Sequence, residues 1–430
     1  MNKITNDLLK ETVYVKKLEN GLNVYLCKKP GFKNNIGLFG TKYGSVDNEF
    51  IDILTNDTIS VPDGVAHFLE HKLFEQEDSN ALDLFSKIGV SANAYTSFDQ
   101  TVYYFETVNK LNEGLELLIK LVSTPYFTDE NVEKEKGIIA QEIKMYEDSA
   151  DYVAYFNTLS AMYKKNPVRI DIAGTVESIS NIDKETLYKC YNNFYNLNNM
   201  FLIVVGDMNI DEVIEKIETS IKKQNITISP NKEVVKLRKE EPETINTKKV
   251  EHEMEVYMPQ VCVGYKAPVM NSKDALKTRI IGNIINEMYF SKLSSFFNNM
   301  YTQGILNEPL YFDYENGPSY SHFMISGATQ KLEELEKELF EYIEEIKNDK
   351  SNKYENDFEI AVKKKIGNTV LESDIVSESY RRIINSIINK YDIYEELDML
   401  NKLKYIEVKE ILKLLTSDKR VISIVKNKVK

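Results

Sequence analysis

The chain has 430 residues, 42% hydrophobic and 28% charged, with a formal net charge of −13. That length exceeds one ordinary core and predicts two or more domains, while the acidic balance excludes nucleic acid as a partner and offers anionic membranes no attraction. No apolar run reaches membrane-span length and the N-terminal stretch lacks the apolar segment of a secretory signal, so a cytoplasmic chain with no membrane association is expected.

Residues 16–28 read as a hairpin about Asn20-Gly21, a pair suited to the positive φ angles of a tight turn. A strand at 36–43 closes at Gly44-Ser45. Pro62-Asp63-Gly64 is a helix-start signal directly ahead of His67-Phe68-Leu69-Glu70-His71. A helix over 81–88 ends at Gly89, and residues 91–106, rich in Thr, Tyr, Val and Phe, read as paired strands. An amphipathic helix over 111–122 is broken at Pro125. A long helix over 129–146 follows, with acidic residues in its first turn where the dipole favours them. Helices near 152–163 and 184–195 lead to an apolar strand at 200–205, which ends at Gly206-Asp207, and another helix starts at Asp211.

From residue 227 the composition turns polar and charge-mixed, with Pro230 and Pro242, as expected of a linker over 227–248. The order of elements then repeats. Strands are predicted at 249–257 and 261–266, helices at 273–290 and 292–302, and strands at 309–314 and 321–326. Long helices at 333–347, 354–371 and 376–389 precede a helix at 406–415 and a closing strand at 420–425. That strand holds the place of 200–205 in the first half. The pattern predicts an α+β fold of two tandem homologous domains, 1–226 and 249–430.

Two of the four histidines, His67 and His71, lie four residues apart with Glu70 between them. Positions i and i+4 stack on one helix face and i+3 lies beside them. The segment therefore aims two neutral nitrogen ligands and one carboxylate at a single point. That is the requirement of a zinc-activated water: ligands on the metal and a base beside the water. Catalytic zinc commonly takes a third protein ligand. The helix over 129–146 offers Glu135 and Glu142, two turns apart on one face, with Ile138 and Ile139 between them. A carboxylate flanked by buried isoleucines needs a partner, and a metal is a good one. Spacing alone does not choose between the two glutamates.

The order H-x-x-E-H marks the inverzincins. With E-x6-E about seventy residues further on, the chain resembles the pitrilysin and mitochondrial-processing-peptidase superfamily of zinc metallopeptidases. The hairpin Leu18-Glu-Asn-Gly-Leu-Asn-Val, Tyr43-Gly-Ser45, Asn93-Ala-Tyr-Thr-Ser97, Ala173-Gly-Thr175 and Val205-Gly-Asp207 match as well, so the resemblance covers nearly the whole chain. Within the family it looks nearest the small bacterial YmfH-like branch. The resemblance implies two domains, each a mainly antiparallel sheet covered by helices, in a clam-shell arrangement. It implies one Zn²⁺ per chain held by His67, His71 and Glu142, with Glu135 holding a ligating histidine from behind. Glu70 would be the general base on the zinc-activated water. The backbone of Asn93 and Ala94 would receive an extended peptide substrate by strand addition.

The chain departs from the family in its second half. Active members carry Arg-x6-Tyr about a glycine turn there, and those residues steady substrate and oxyanion. Here Met300 and Asn307 stand at the two positions about Gly304, and methionine donates no hydrogen bond. The expectation is a heterodimer with a related sister subunit that supplies Arg and Tyr, with a homodimer in its absence. The function so implied is a zinc endopeptidase subunit cutting short or unfolded peptides in an enclosed chamber. A non-catalytic scaffold subunit is the alternative, against which an intact set of ligands and base argues.

The remaining candidates read as structural. Cys27, Cys190 and Cys262 are too scattered for a disulfide framework or metal cluster. His252, between Glu251 and Glu253, reads as solvated, and His322 as structural. Tyr311-Phe-Asp-Tyr314 reads as an interior strand face, residues 333–345 as a solvated acidic helix face, and Tyr380-Arg381-Arg382 has no motif behind it.

Overall fold

Strands form where β-branched and aromatic residues run together. The computed structural model describes residues 1–224 and 233–428. In the first half it places β1 (Asn2–Asn6), β2 (Glu11–Lys17), β3 (Asn23–Lys28), β4 (Asn35–Thr41), β5 (Glu49–Ile51), β6 (Thr58–Ser60), β7 (Ser91–Thr96), β8 (Thr101–Thr107) and β9 (Met200–Gly206). The short β10 (Val235–Lys236) follows. The second half holds β11 (Lys249–Met254), β12 (Gln260–Lys266), β13 (Tyr311–Asn316), β14 (Ser321–Ala328) and β15 (Arg420–Asn427). Nearly every predicted strand and helix is present. The sequence reading missed β1 and the small sheet β10-β5-β6, whose strands are too short to show a period.

The large sheets run β1-β2-β3-β9-β4-β8-β7 and β11-β15-β12-β14-β13. Only β3–β9 and β11–β15 are parallel pairs; the other neighbours are antiparallel. Counted from β3, the first sheet has its strands in the order first, fifth, second, fourth, third, and the second sheet repeats that order. The predicted repeat is thus a repeat of topology, and the fold is α+β, each half a mainly antiparallel sheet with helices. The expected hairpin β2–β3 forms, but over a longer loop than a two-residue turn, with Lys17 opposite Asn23. Gly21 sits there at φ 94, and a Cβ on it would lie 2.1 Å from Asn198 Oδ1.

By contacts the chain divides into two compact units that differ from the contiguous stretches 1–226 and 249–430. The first comprises Met1–Ile143, Asp171–Arg238 and Val370–Lys390; the second comprises Lys144–Ile170, Lys239–Thr369 and Tyr391–Lys430. Each unit therefore includes a helix from the other half of the sequence. Part of the expected linker, residues 227–232, lies outside the described residues. Its later part is anchored: Lys236 Nζ donates to the Lys42 carbonyl at 2.6 Å and to Asp47 at 2.8 Å. In the second unit Glu241 accepts from the amides of Lys164, Lys165 and Asn166 at 2.8–2.9 Å.

In the first unit, side chains alternate across the sheet. Val24, Leu26, Leu202 and Val204 enter the main core with Phe39, Tyr103, Phe105 and the apolar faces of the helices. Phe201, Ile203 and Val205 are equally buried on the other face of β9, against which the helix Val376–Asn389 packs. An ion network pins that helix. Arg382 donates to Glu11 Oε1 at 2.8 Å and Ser379 to Glu11 Oε2 at 2.9 Å. Lys29 pairs with the same carboxylate and donates to the Ser373 carbonyl at 2.7 Å. In the second unit the helix Ala150–Met162 packs on β12 and β15. Gly264 permits the approach, since a Cβ there would lie 2.4 Å from Met162 Cε.

The Glu11 side chain is fully buried. Burial acts to raise its pKa, but Arg382 and Lys29 overcome that and hold it below its ordinary 4.5. Its contribution to stability is therefore complete above that value and lost as pH falls through the lower folded value. Glu11→Ala strands two buried cations and is expected to cost about 3–5 kcal/mol in urea unfolding at neutral pH. The gap between wild type and variant should narrow as the pH is taken below the ordinary carboxylate range.

Candidate metal centre

The helix Val65–Phe74 begins at Asp63-Gly64 and is buried along most of its length. Gly64 caps it at φ 92, and a Cβ on Gly64 would lie 2.4 Å from the Ala173 carbonyl oxygen. The loop Ala173-Gly174-Thr175 is the seat of this helix start. Gly174, at φ 78, approaches the Asp63 carbonyl, and Ser178 Oγ donates to that carbonyl at 2.8 Å. Thr175 and Ser178 in turn form a reciprocal cap on the next helix. Two stretches noted separately in the sequence thus meet in space, and each needs its glycine.

His67 and His71 lie one turn apart with ring centroids 4.6 Å from each other. The helix Asp129–Glu147 brings up two glutamates two turns apart. Glu142 lies 3.7 Å from His67 Nε2 and 3.3 Å from His71 Nε2, counting one oxygen to each ring. Glu135 Oε1 accepts from His71 Nδ1 at 3.0 Å. The two glutamates, which spacing alone left interchangeable, are thus distinguished: Glu142 faces both imidazoles, and Glu135 stands behind one of them. Of the two isoleucines between these glutamates, one is buried. Ile139 is buried, but Ile138 is 47% exposed, because it lies a quarter-turn off the packed face.

Burial and the neighbouring His71 push the His67 pKa down to about 4, so its ring is neutral at physiological pH. Burial also acts to lower His71, but hydrogen bonds to Glu135 and Glu142 outweigh it and raise His71 to about 10. The cluster therefore draws one positive charge to itself. Donor atoms of His67, His71 and Glu142 all lie within 4.8 Å of one another. The separations of 3.3 and 3.7 Å to the Glu142 oxygens are close to the roughly 3.3 Å between ligand atoms of a tetrahedral zinc site. Two imidazole nitrogens and a carboxylate oxygen are also a donor set that zinc accepts. These residues fit a zinc ion.

Glu70 lies on the same helix face and is buried. Thr96 donates to its Oε2 at 2.6 Å, and burial raises its pKa against that hydrogen bond. The sequence reading did not assign Thr96 a role, although it stands in the Asn93–Ser97 stretch singled out by resemblance. Thr96 ends β7, which is the edge strand of the first sheet. The Asn93 side chain accepts from the Ala94 amide at 2.8 Å. A cavity of 590 Å³ bounded by Glu70, His71, Phe74, Asn93, Glu135 and Ile138 joins this strand to the cluster; its size suits a peptide side chain or small ligand.

Among the described residues of the second unit, no His, Cys, Asp and Glu side chains gather as His67, His71 and Glu142 do. Met300 is buried in the helix Ser295–Thr302, and Asn307 is exposed beyond the turn at Gly304. His322 is fully buried, with its Nδ1 3.0 Å from Tyr163 Oη and Nε2 3.5 Å from Glu315, so it is structural as expected. His252 is exposed on β11. In the run Tyr311–Tyr314, Phe312 and Tyr314 are core residues, but Tyr311 is exposed. Within Tyr380–Arg382, Arg382 turns in to Glu11 and Arg381 turns out to pair with Glu378. All three cysteines are buried and unpaired.

Residues 60–176 match the family described as "Insulinase (Peptidase family M16)", and residues 181–363 match "Peptidase M16 inactive domain". The chain is 40% identical over 405 residues, 92% of its own length and 90% of the other's, to the uncharacterized zinc protease YmfH of Bacillus subtilis. It is 28% identical over 216 residues to the mitochondrial-processing peptidase subunit beta of Caenorhabditis elegans, covering 48% of this chain and 44% of that one. Its fold superposes on the crystal structure of a putative M16-like peptidase from Alicyclobacillus acidocaldarius with a TM-score of 0.92 at 30% identity, covering 99% and 100% of the two chains.

The seating of the histidine helix has a measurable consequence. Gly64→Ala meets both a positive φ and the Ala173 carbonyl, and should cost at least about 1–3 kcal/mol in a calorimetric melt. Gly137→Ala, on the solvent side of the glutamate helix with open space about it, should instead stabilise by up to about 1 kcal/mol.

Proposed function

The chain belongs to the insulinase family of peptidases, M16, and from that premise we propose that it is a zinc-dependent endopeptidase subunit acting on short or unfolded peptides in an enclosed chamber. The observation that carries this reading is the convergence of His67, His71 and Glu142 within 4.8 Å, with Glu70 on the same face. His67, His71 and Glu142 would hold one Zn²⁺, and Glu135 orients His71 by accepting a hydrogen bond from its Nδ1–H. Bound there, zinc supplies Lewis-acid activation of water and of the scissile carbonyl. Glu70 is the general base. Thr96 occupies its Oε2, which leaves Oε1 to take the proton from the attacking water and deliver it to the departing amine nitrogen.

The substrate docks along β7. The Asn93 carboxamide caps the Ala94 amide and is displaced when an extended peptide pairs with that strand. Main-chain pairing of this kind reads few side chains. The reading also includes a sister subunit. Met300 is turned into the core and Asn307 carries no charge, so these two positions offer no cation to steady the developing oxyanion. A related subunit in a heterodimer supplies it, with a homodimer as the alternative assembly when that subunit is missing. No described helix is long and apolar enough to cross a membrane, and we place the protein in the cytoplasm. The match of residues 181–363 to an inactive domain supports a second reading, a non-catalytic scaffold subunit.

Metal content separates the two. One zinc per chain is expected, lost in His67→Ala and retained in Glu70→Gln. Peptide cleavage should fall by about 10²–10⁴-fold in Glu70→Gln; a chain that purifies without zinc at neutral pH would favour the scaffold. Cleavage should rise when the sister subunit is added, and equal rates with and without it would exclude the heterodimer.

Docking on β7 is tested separately. Ala94→Pro removes one amide donor from the strand and is expected to raise KM about tenfold, the equivalent of one lost hydrogen bond, with zinc content unchanged.

A further inference from the structure

Lys72 follows His71 directly, and its side chain is completely buried. Its ammonium donates to the Asn131 carbonyl at 3.2 Å and pairs with Glu75. It also lies 3.8 Å from Glu135 Oε2. Glu135 therefore has a different partner at each oxygen: His71 Nδ1 at Oε1 and Lys72 at Oε2. Taking an ammonium wholly out of water costs several kcal/mol unless its partners return that energy. Phe68, Leu69 and Leu73 of the same helix are fully buried, and an apolar side chain at position 72 would carry no such cost. The charge is explained by what it holds.

We propose that Lys72 is a positioning residue for the metal centre. Its ammonium draws Oε2 of the Glu135 carboxylate to itself, so that Oε1 faces His71 Nδ1 and the His71 ring presents Nε2 to Glu142. The chain of contacts runs from the Asn131 carbonyl through Lys72 and Glu135 to His71, and it ties the first turns of the helix Asp129–Glu147 to the last turn of the helix Val65–Phe74. The inference rests on the zinc reading above.

The test is equilibrium zinc affinity, measured by chelator competition on the full chain. Lys72→Met and Glu135→Gln should each weaken zinc binding about tenfold or more, the usual cost of removing a group that orients a ligating histidine. The double variant Lys72→Met/Glu135→Gln should bind zinc no more weakly than Glu135→Gln alone, because both changes act through one carboxylate. A merely structural lysine would lower the melting temperature and leave zinc affinity intact. If Lys72→Met does not fold, Lys72→Met/Glu75→Gln removes the opposing charge with it and should show the same tenfold loss. Wild-type affinity in a folded Lys72 variant, or losses that add in the double variant, would overturn the inference. Absence of zinc from the wild-type chain would overturn the zinc reading itself.

Discussion

His71 is held at both ring nitrogens by carboxylates from a single helix, and the organisation of the first unit follows from that clamp. Glu135 and Glu142 reach the ring only because they stand two turns apart on a helix whose direction is set by the buried Val132, Ile139 and Ile143. The ring in turn is placed by a helix that starts at one glycine and rests on a loop built around another. A shift of either helix by one residue would turn the carboxylates to solvent. The clamp also concentrates acid: Glu70, Glu135 and Glu142 gather about two imidazoles and draw positive charge to the site.

The two units share a strand order but not a chemistry. The second keeps the repeat's sheet, and its polar interior serves packing. His322 is tied to Tyr163 and Glu315, and Lys266 gathers Glu241 and the carbonyls of Met162, Pro242 and Thr244. Lys266 is satisfied by these acceptors, whereas His322 Nε2 has no hydrogen-bond partner among the described residues. In the first unit the corresponding polar residues converge on a common point instead. Topology is thus the inherited feature, and the chemistry depends on which side chains a few helix turns present.

Much of this was legible in the sequence for definite reasons. A motif confined to one helix turn fixes its own geometry, so His67, Glu70 and His71 could be placed on one face from spacing alone. Long apolar strands such as β9 and long helices announce themselves by period. The roles of Glu135 and Glu142 were not decidable that way, since they depend on where a second helix lies, and the family resemblance ordered them as the packing does. Thr96 and Lys72 escaped notice because their partners are distant or belong to a contact that no pattern encodes. The same holds for Glu11 and Arg382, which are 371 positions apart. Ile138 was misjudged because helix periodicity was applied one position too broadly.

The helix Val376–Asn389 has a consequence for how the molecule is made. The first unit's sheet and its histidine helix emerge early in synthesis, but Glu11 and Lys29 meet their remaining partners only when residues 373–382 have left the ribosome. At about 5–20 residues per second that interval is roughly 20–70 s. In the later part of it, once β9 has been made, the nascent chain exposes the outer face of that strand, with Phe201, Ile203 and Val205, while Glu11 has Lys29 beside it but neither Ser379 nor Arg382. The last strand of the sheet is complete at residue 206, but its outer face stays uncovered until almost the last tenth of translation, and a fragment that ends before residue 370 keeps that face exposed. The order of residues along the chain thus makes the histidine helix's unit a product of complete synthesis.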